Sequence, residues 1–168
     1  MTRIYIIRHG DALPLGGEAR RDADRPLTTR GEEDIRRAGK FLAGLDRNLR
    51  RIHCSPLLRA RQTAELIASA IGGKTDVRPT ESLAPGFRPV LLMEELHGSG
   101  KAESVAVVGH QPDLSILLAY LIECEAASAL SFPPGAIACI ELSGGPAPDP
   151  TLQWLLTPDL LRRLQPEM

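Results

Sequence analysis

Short apolar runs alternate with amphipathic stretches along this chain. Arg3 to Ile7, RIYII, is β-branched and aromatic and predicts a buried strand. It ends in RHGDA, and the polar loop LGGEARRDADRP follows. In TTRGEEDIRRAGKFLAGL the apolar positions Ile35, Ala38, Phe41, Leu42 and Leu45 share one helical stripe, and Thr29 with Glu32 reads as a capping box at its start. RRIHCS predicts a second strand. PLLRARQTAELIASAIGG predicts a helix with Pro56 in the first turn and Gly72–Gly73 at its end. TDVRP is a short strand, and RPVLLMEELHG a helix closed by Gly98. SVAVVGHQP holds the clearest parallel-type strand, Val105 to Val108, and PDLSILLAYLI the next helix. AIACIEL and TLQWLL are late strands split by the Gly/Pro-rich turn SGGPAPDP; the tail PDLLRRLQPEM is a short helix or frays.

Alternating strands and helices predict an α/β protein, a three-layer α/β/α arrangement with a mostly parallel sheet and an antiparallel hairpin at an edge. Ligands of such sheets sit outside the carboxyl ends of the strands. Three strands here end in polar clusters: Arg8–His9, His53–Ser55 leading to Arg59, and His110. If the strands are parallel neighbours, the clusters converge on one cleft.

Composition narrows the class. A chain of 168 residues, 43% hydrophobic and 24% charged, is ordinary for one globular domain, taken here as residues 1–168. A formal net charge of -1 gives no reason to expect nucleic acid or an anionic membrane as partner. Arginines nonetheless crowd the first quarter: Arg20, Arg21, Arg25, Arg30, Arg36 and Arg37. Most fit a solvated helix face; one or two would serve an anion site. Three cysteines, Cys54, Cys124 and Cys139, form no disulfide framework and fit a reducing compartment. The apolar run near the N-terminus is too brief for a signal peptide or a span, so a cytosolic protein is expected.

RIHCSPLLRAR suggests the phosphate loop of a cysteine phosphatase. Such loops wrap an anion with successive backbone N–H groups and glycines. Here Pro56 has no N–H, no glycine lies between Cys54 and Arg61, and four residues rather than that family's five separate Cys54 from Arg59. Cys54 therefore reads as a small apolar residue at a strand end. GSGK lacks the earlier glycine and the Ser/Thr of a P-loop, the four histidines have no metal-ligand spacing, and Ser115 has no nucleophile elbow. What remains is His9 beside Arg8, Arg59 early in a helix, and His110 after VAVVG. A histidine next to an arginine at a strand end can attack phosphorus, and the guanidinium fork matches phosphate oxygens. A second histidine, if protonated, adds a donor where charge builds.

RHGDA, RPLTTRG, CSPLLRARQTA and VVGHQP resemble the motifs of the histidine phosphatase superfamily, with its phosphoglycerate mutase-like fold. The short length and the phrases SPLLRA, AIA and WLLTP are similar to the SixA-type protein phosphohistidine phosphatase branch, from Arg3 to about Pro158. The resemblance implies that His9 is the nucleophile and becomes phosphorylated, that Arg8, Arg59 and His110 form the phosphate pocket, and that Arg25 also contacts the phosphate. Many members carry a carboxylate general acid after the third strand. By resemblance that position falls near Pro85, where no acid stands; Asp11 and Glu81 are the candidate donors. Expelling an alkoxide demands proton donation, whereas the imidazole of a phosphohistidine needs far less help. A phosphohistidine phosphatase without metal or cofactor is therefore expected. Its cleft lacks a cap insertion, and its partner is a phosphohistidine-bearing protein such as a histidine phosphotransfer domain or a phosphocarrier. A monomer is the default. A small-molecule phosphomonoesterase of the same superfamily and a non-catalytic phosphate-binding module are the alternatives, and a mutase is disfavoured.

Overall fold

The computed structural model describes residues 3–16, 19–72, 75–98, 104–142 and 149–164. Six strands form one sheet: β1 (Arg3–Arg8), β2 (Arg51–Cys54), β3 (Asp76–Pro79), β4 (Ser104–Gly109), β5 (Ile137–Leu142) and β6 (Pro150–Leu156), in the order β3-β2-β4-β1-β5-β6. The pairs β3–β2, β2–β4 and β4–β1 are parallel, and the antiparallel hairpin β5–β6 completes the sheet beside β1. Its connecting turn, SGGPAPDP, lies largely outside the described residues. The helices are α1 (Thr29–Leu45), α2 (Leu58–Ile71), α3 (Pro89–Gly98), α4 (Asp113–Leu121) and α5 (Pro158–Leu164).

The apolar central strands are buried on both faces, as a sheet covered by helices on either side requires. Alternate side chains of β1 serve different cores. Ile4 and Ile6 join Val105, Val107, Leu114, Leu118 and Leu92 under α3 and α4. Tyr5 and Ile7 join Ile52, Ala106, Val108, Ile35, Leu42 and Ile67 under α1 and α2. Cys54 belongs to this second core and is fully buried.

Three local expectations shift. The residue capping α1 is Thr28, whose hydroxyl accepts from the Gly31 N–H at 2.9 Å, and Glu32 pairs with Arg36 instead. The adjacent threonines satisfy the same cap pattern one residue apart. Pro56 lies before α2, whose N-cap is Leu57. Leu45, at the end of the predicted apolar stripe, is exposed. The tail is helical through Leu164, and Gly73 lies outside the described residues.

Candidate active site

The polar residues that close β1, β2 and β4 meet because these strands are parallel neighbours. Arg8 stands opposite Gly109, and the His9 N–H donates to the Gly109 carbonyl at 3.1 Å. The Ser55 N–H donates to the Val108 carbonyl at 2.9 Å, which ties the exit of β2 to β4. The chain then turns into α2, which presents Arg59, Gln62 and Thr63 on one face, as spacings of three and four residues dictate. Each has a distinct task. Arg59 Nε donates to His9 Nε2 at 3.2 Å. Gln62 Oε1 accepts from the Leu27 N–H at 2.8 Å, and Thr63 Oγ1 accepts from the Gly10 N–H at 3.1 Å. The loop after β1 is thus pinned to the helix that carries the arginine. Gly31 permits the start of α1 to approach the same loop: a Cβ there would stand 2.2 Å from the Asp11 carbonyl oxygen.

The two site histidines carry the ring proton on the same nitrogen, Nδ1, but for different reasons. His9 Nδ1 lies 2.7 Å from the Gly10 carbonyl oxygen. A carbonyl only accepts, so the ring proton is on Nδ1 and Nε2 carries a lone pair. His110 Nε2 lies 2.8 Å from Ser55 Oγ. That hydroxyl already accepts from the Leu57 N–H at 3.3 Å, so it satisfies its own proton by donating to His110. The ring proton of His110 then sits on Nδ1, which is buried and without a partner. Arg8 donates from Nη1 to the Phe132 carbonyl at 2.6 Å, while its Nε is likewise buried and unpaired. The ring centroids of His9 and His110 are 5.0 Å apart. A lone pair and two unpaired N–H donors therefore share the ends of two adjacent strands.

Electrostatics set the protonation states. Burial, opposed by the pull of the Gly10 carbonyl and helped by the charges of Arg59, Arg8 and Arg25, brings His9 down to about 4. Burial, then His9 and Arg59, push His110 down to about 3. Both rings are neutral near pH 7, so the second histidine offers a neutral N–H donor without being protonated. Burial and then Arg59 lower Arg8 as well. The Cys54 thiol is pushed up to about 11 by burial, which removes it as a thiolate nucleophile.

The remaining candidates lie around this group. Arg25 donates from Nε to the Leu13 carbonyl at 2.6 Å and from Nη1 to Asp22 Oδ1 at 3.0 Å. Asp22 escapes sequence reasoning, since it is one of many charges in an aperiodic loop. It accepts from Arg59 twice: its carbonyl from Nη1 at 2.8 Å, its Oδ2 from Nη2 at 3.0 Å. Asp11 Oδ2 accepts from Thr28 Oγ1 at 2.9 Å, and the residue lines a separate cavity of about 420 Å³ with Arg30, Asp34 and Asp159. Glu81 is exposed in a short 3-10 turn, and its side chain makes no hydrogen bond to the histidine–arginine group. A wider cleft of about 620 Å³ opens at Arg8, between the start of α4 and the segment ending at Pro133. Among the described residues no cluster of three or more His, Cys, Asp or Glu has metal-site geometry.

An α/β sheet with histidines and arginines gathered at its carboxyl edge is the frame of a phosphoryl-transfer site. The family model of the histidine phosphatase superfamily (branch 1) matches residues 4–84. Phosphohistidine phosphatase SixA of Escherichia coli is 31% identical over 159 residues, covering 93% of this chain and 94% of that protein. The chain belongs to the histidine phosphatase superfamily and is of the SixA type. An uncharacterised protein of Picosynechococcus is 37% identical over 118 residues, 66% of this chain and 67% of its own length. A solved structure of the protein histidine phosphatase SixA complexed with tungstate superposes with a TM-score of 0.78 at 31% identity, covering 95% of this chain and 99% of that one. The alpha-ribazole phosphatase of Shigella flexneri, at 20% identity and a TM-score of 0.72 over 93% and 96% of the two chains, shares the fold.

Proposed function

We propose that the protein is a phosphohistidine phosphatase that hydrolyses the P–N bond through a phospho-His9 intermediate, without a metal. The observation that carries this reading concerns acid. Asp22, the one carboxylate hydrogen-bonded to the histidine–arginine group among the described residues, is held ionised by its hydrogen bond to Arg25 and by Arg59. It has no proton to give a leaving group. Asp11 is engaged with Thr28, and Glu81 is directed to solvent. General acid catalysis is worth ~10²–10⁴-fold, so a site lacking it favours a leaving group that departs without it. A phosphohistidine imidazole is such a group.

In the first step the His9 Nε2 lone pair forms a bond to phosphorus. The P–N bond to the departing imidazole breaks, and its electron pair returns to that ring, which takes a proton from solvent. Arg59 keeps its proton and redirects the Nε–H hydrogen bond from His9 to a phosphoryl oxygen, and Arg8 Nε and His110 Nδ1 gain the partners they lack. Water then forms a P–O bond as the P–Nε2 bond breaks, its electron pair returns to Nε2 of His9, and the proton lost by the water leaves with the inorganic phosphate or to solvent. Guanidinium groups supply the positive charge. Arg25 lies one carboxylate away from the pocket and joins it once Asp22 moves. The reading extends to an uncapped domain spanning the chain, a cytoplasmic location, and a signalling or phosphocarrier protein as partner. Among the described residues no helix is long and apolar enough to cross a membrane.

The test is a dephosphorylation screen of phosphohistidine proteins and alkyl phosphates, with His9→Ala as control. Turnover of phosphohistidine at least about 10²-fold above that of alkyl phosphates is expected. Preference for alkyl phosphates, lost in Asp11→Asn or Glu81→Gln, would establish a phosphomonoesterase instead. Phosphate binding without turnover would leave a binding module.

A further inference from the structure

We infer that Asp22 determines what the phosphoryl pocket accepts: its carboxylate is a built-in competitor for Arg59 and Arg25 that an incoming phosphoryl group has to displace. The inference rests on the reading of this cleft as a phosphoryl site, though not on which phosphorylated substrate it takes. The two carboxylate oxygens are shared between the guanidiniums, Oδ1 with Arg25 Nη1 and Oδ2 with Arg59 Nη2, each at 3.0 Å. These are the donors that would otherwise take phosphoryl oxygens, so carboxylate and substrate exclude one another. The partners differ in freedom. The Arg59 side chain is 7% exposed and the Asp22 side chain 53%, so the carboxylate can swing into water while the guanidinium stays.

The backbone makes that exchange possible without loss of order. The Asp22 carbonyl accepts from Arg59 Nη1 at 2.8 Å and does not depend on the side chain, so Arg59 keeps an anchor when the carboxylate leaves. Charge sets the threshold. A carboxylate brings one negative charge and two oxygens, and it leaves Arg8 Nε and His110 Nδ1 unpaired. A dianionic phosphoryl group brings two charges and three terminal oxygens, enough for the arginines and these two donors together. A doubly esterified, singly charged phosphate offers little more than Asp22 already does. The same competition loosens inorganic phosphate after hydrolysis, which favours product release.

The experiment titrates wild type, Asp22→Asn and Asp22→Ala with inorganic phosphate and with dimethyl phosphate by calorimetry, and measures KM for phosphoramidate. If Asp22 holds the site for two-thirds to nine-tenths of the time, its removal raises the competent fraction about threefold to tenfold. Inorganic phosphate should then bind about threefold to tenfold more tightly to both variants, KM should fall in step, and dimethyl phosphate should gain in proportion to the freed fraction, so that the preference for phosphate does not narrow. Equal or weaker phosphate binding by the variants, with KM unchanged or raised, would overturn the inference and make Asp22 a brace for Arg59. If no protein of the three binds phosphate or turns over phosphoramidate, the phosphoryl-site reading falls, and the inference falls with it.

Discussion

Two regions of the sheet bury a histidine beside a strand, and only one has the character of a reaction centre. His53 lies within β2, fully buried, with Nδ1 3.2 Å from Glu95 Oε1 of α3. Burial lowers its pKa, and Glu95 pulls it back up. His9 lies just past β1, and its neighbours are a carbonyl and a guanidinium. Burial is common to both; the sign of the surrounding charge is not. A carboxylate partner steadies a ring inside a core, whereas a guanidinium beside a lone pair prepares a place for an anion. Position along the strand adds to the difference, because the carboxyl ends of β1 and β4 open to a cleft and the middle of β2 does not.

The largest effect follows from exchanging the two histidines as targets. His9→Ala should abolish turnover, by at least about 10⁴-fold in kcat. His53→Ala should leave kcat within about twofold and instead lower Tm by several degrees, for a loss of about 1–3 kcal/mol as the buried ring and its contact with Glu95 are lost, while Thr80 still donates to Glu95. Assaying both variants for rate and for thermal unfolding checks the contrast; equal losses of rate would erase it.

Next comes the guanidinium. Arg59→Lys keeps the charge but loses the fork that spans His9 and the Asp22 carbonyl, and kcat/KM should fall about 10²–10³-fold. A lysine that serves as well would show that charge alone matters at this position.

The pH dependence sharpens the comparison further. Protonation of His9 removes its lone pair, so kcat/KM should hold as pH falls through 6.5 and decline only near pH 4. An acid limb near 6.5 would mean a hydrated ring, contrary to its burial. Stability moves in the same direction. His9 and His110 have folded pKa values of about 4 and about 3, below the ordinary 6.5, so the unfolded chain binds protons first. Their neutral burial is stabilising above about pH 6.5 and is progressively lost as pH drops towards 4 and then 3, which acid melting curves would follow. The smallest effect belongs to Cys54→Ala. It should leave the rate near wild type and cost about 1 kcal/mol from a small void in the α1–α2 core.

Much of this was legible in the amino-acid order, for physical reasons. A strand buried on both faces must be a continuous apolar run, so RIYII and SVAVVG stand out, and the polar residues that stop such runs fall where the sheet meets the cleft. Side chains whose value lies in a partner far along the chain were less visible. Ser55 and Thr63 are small hydroxyls with many possible roles until β4 and the loop after His9 are placed beside them. Asp22 sits among six charges between Glu18 and Arg25, with no period to single it out. Thr28 and Thr29 both look like caps, and only backbone geometry separates them.

The most direct measurement is rapid-quench trapping of the enzyme with a labile phosphoramidate, followed by mapping of the base-stable, acid-labile adduct. The account predicts phosphate on Nε2 of His9, formed at least as fast as steady-state turnover and absent from His9→Ala. Phosphate on Cys54 or His110, or turnover with no adduct at any time point, would contradict it.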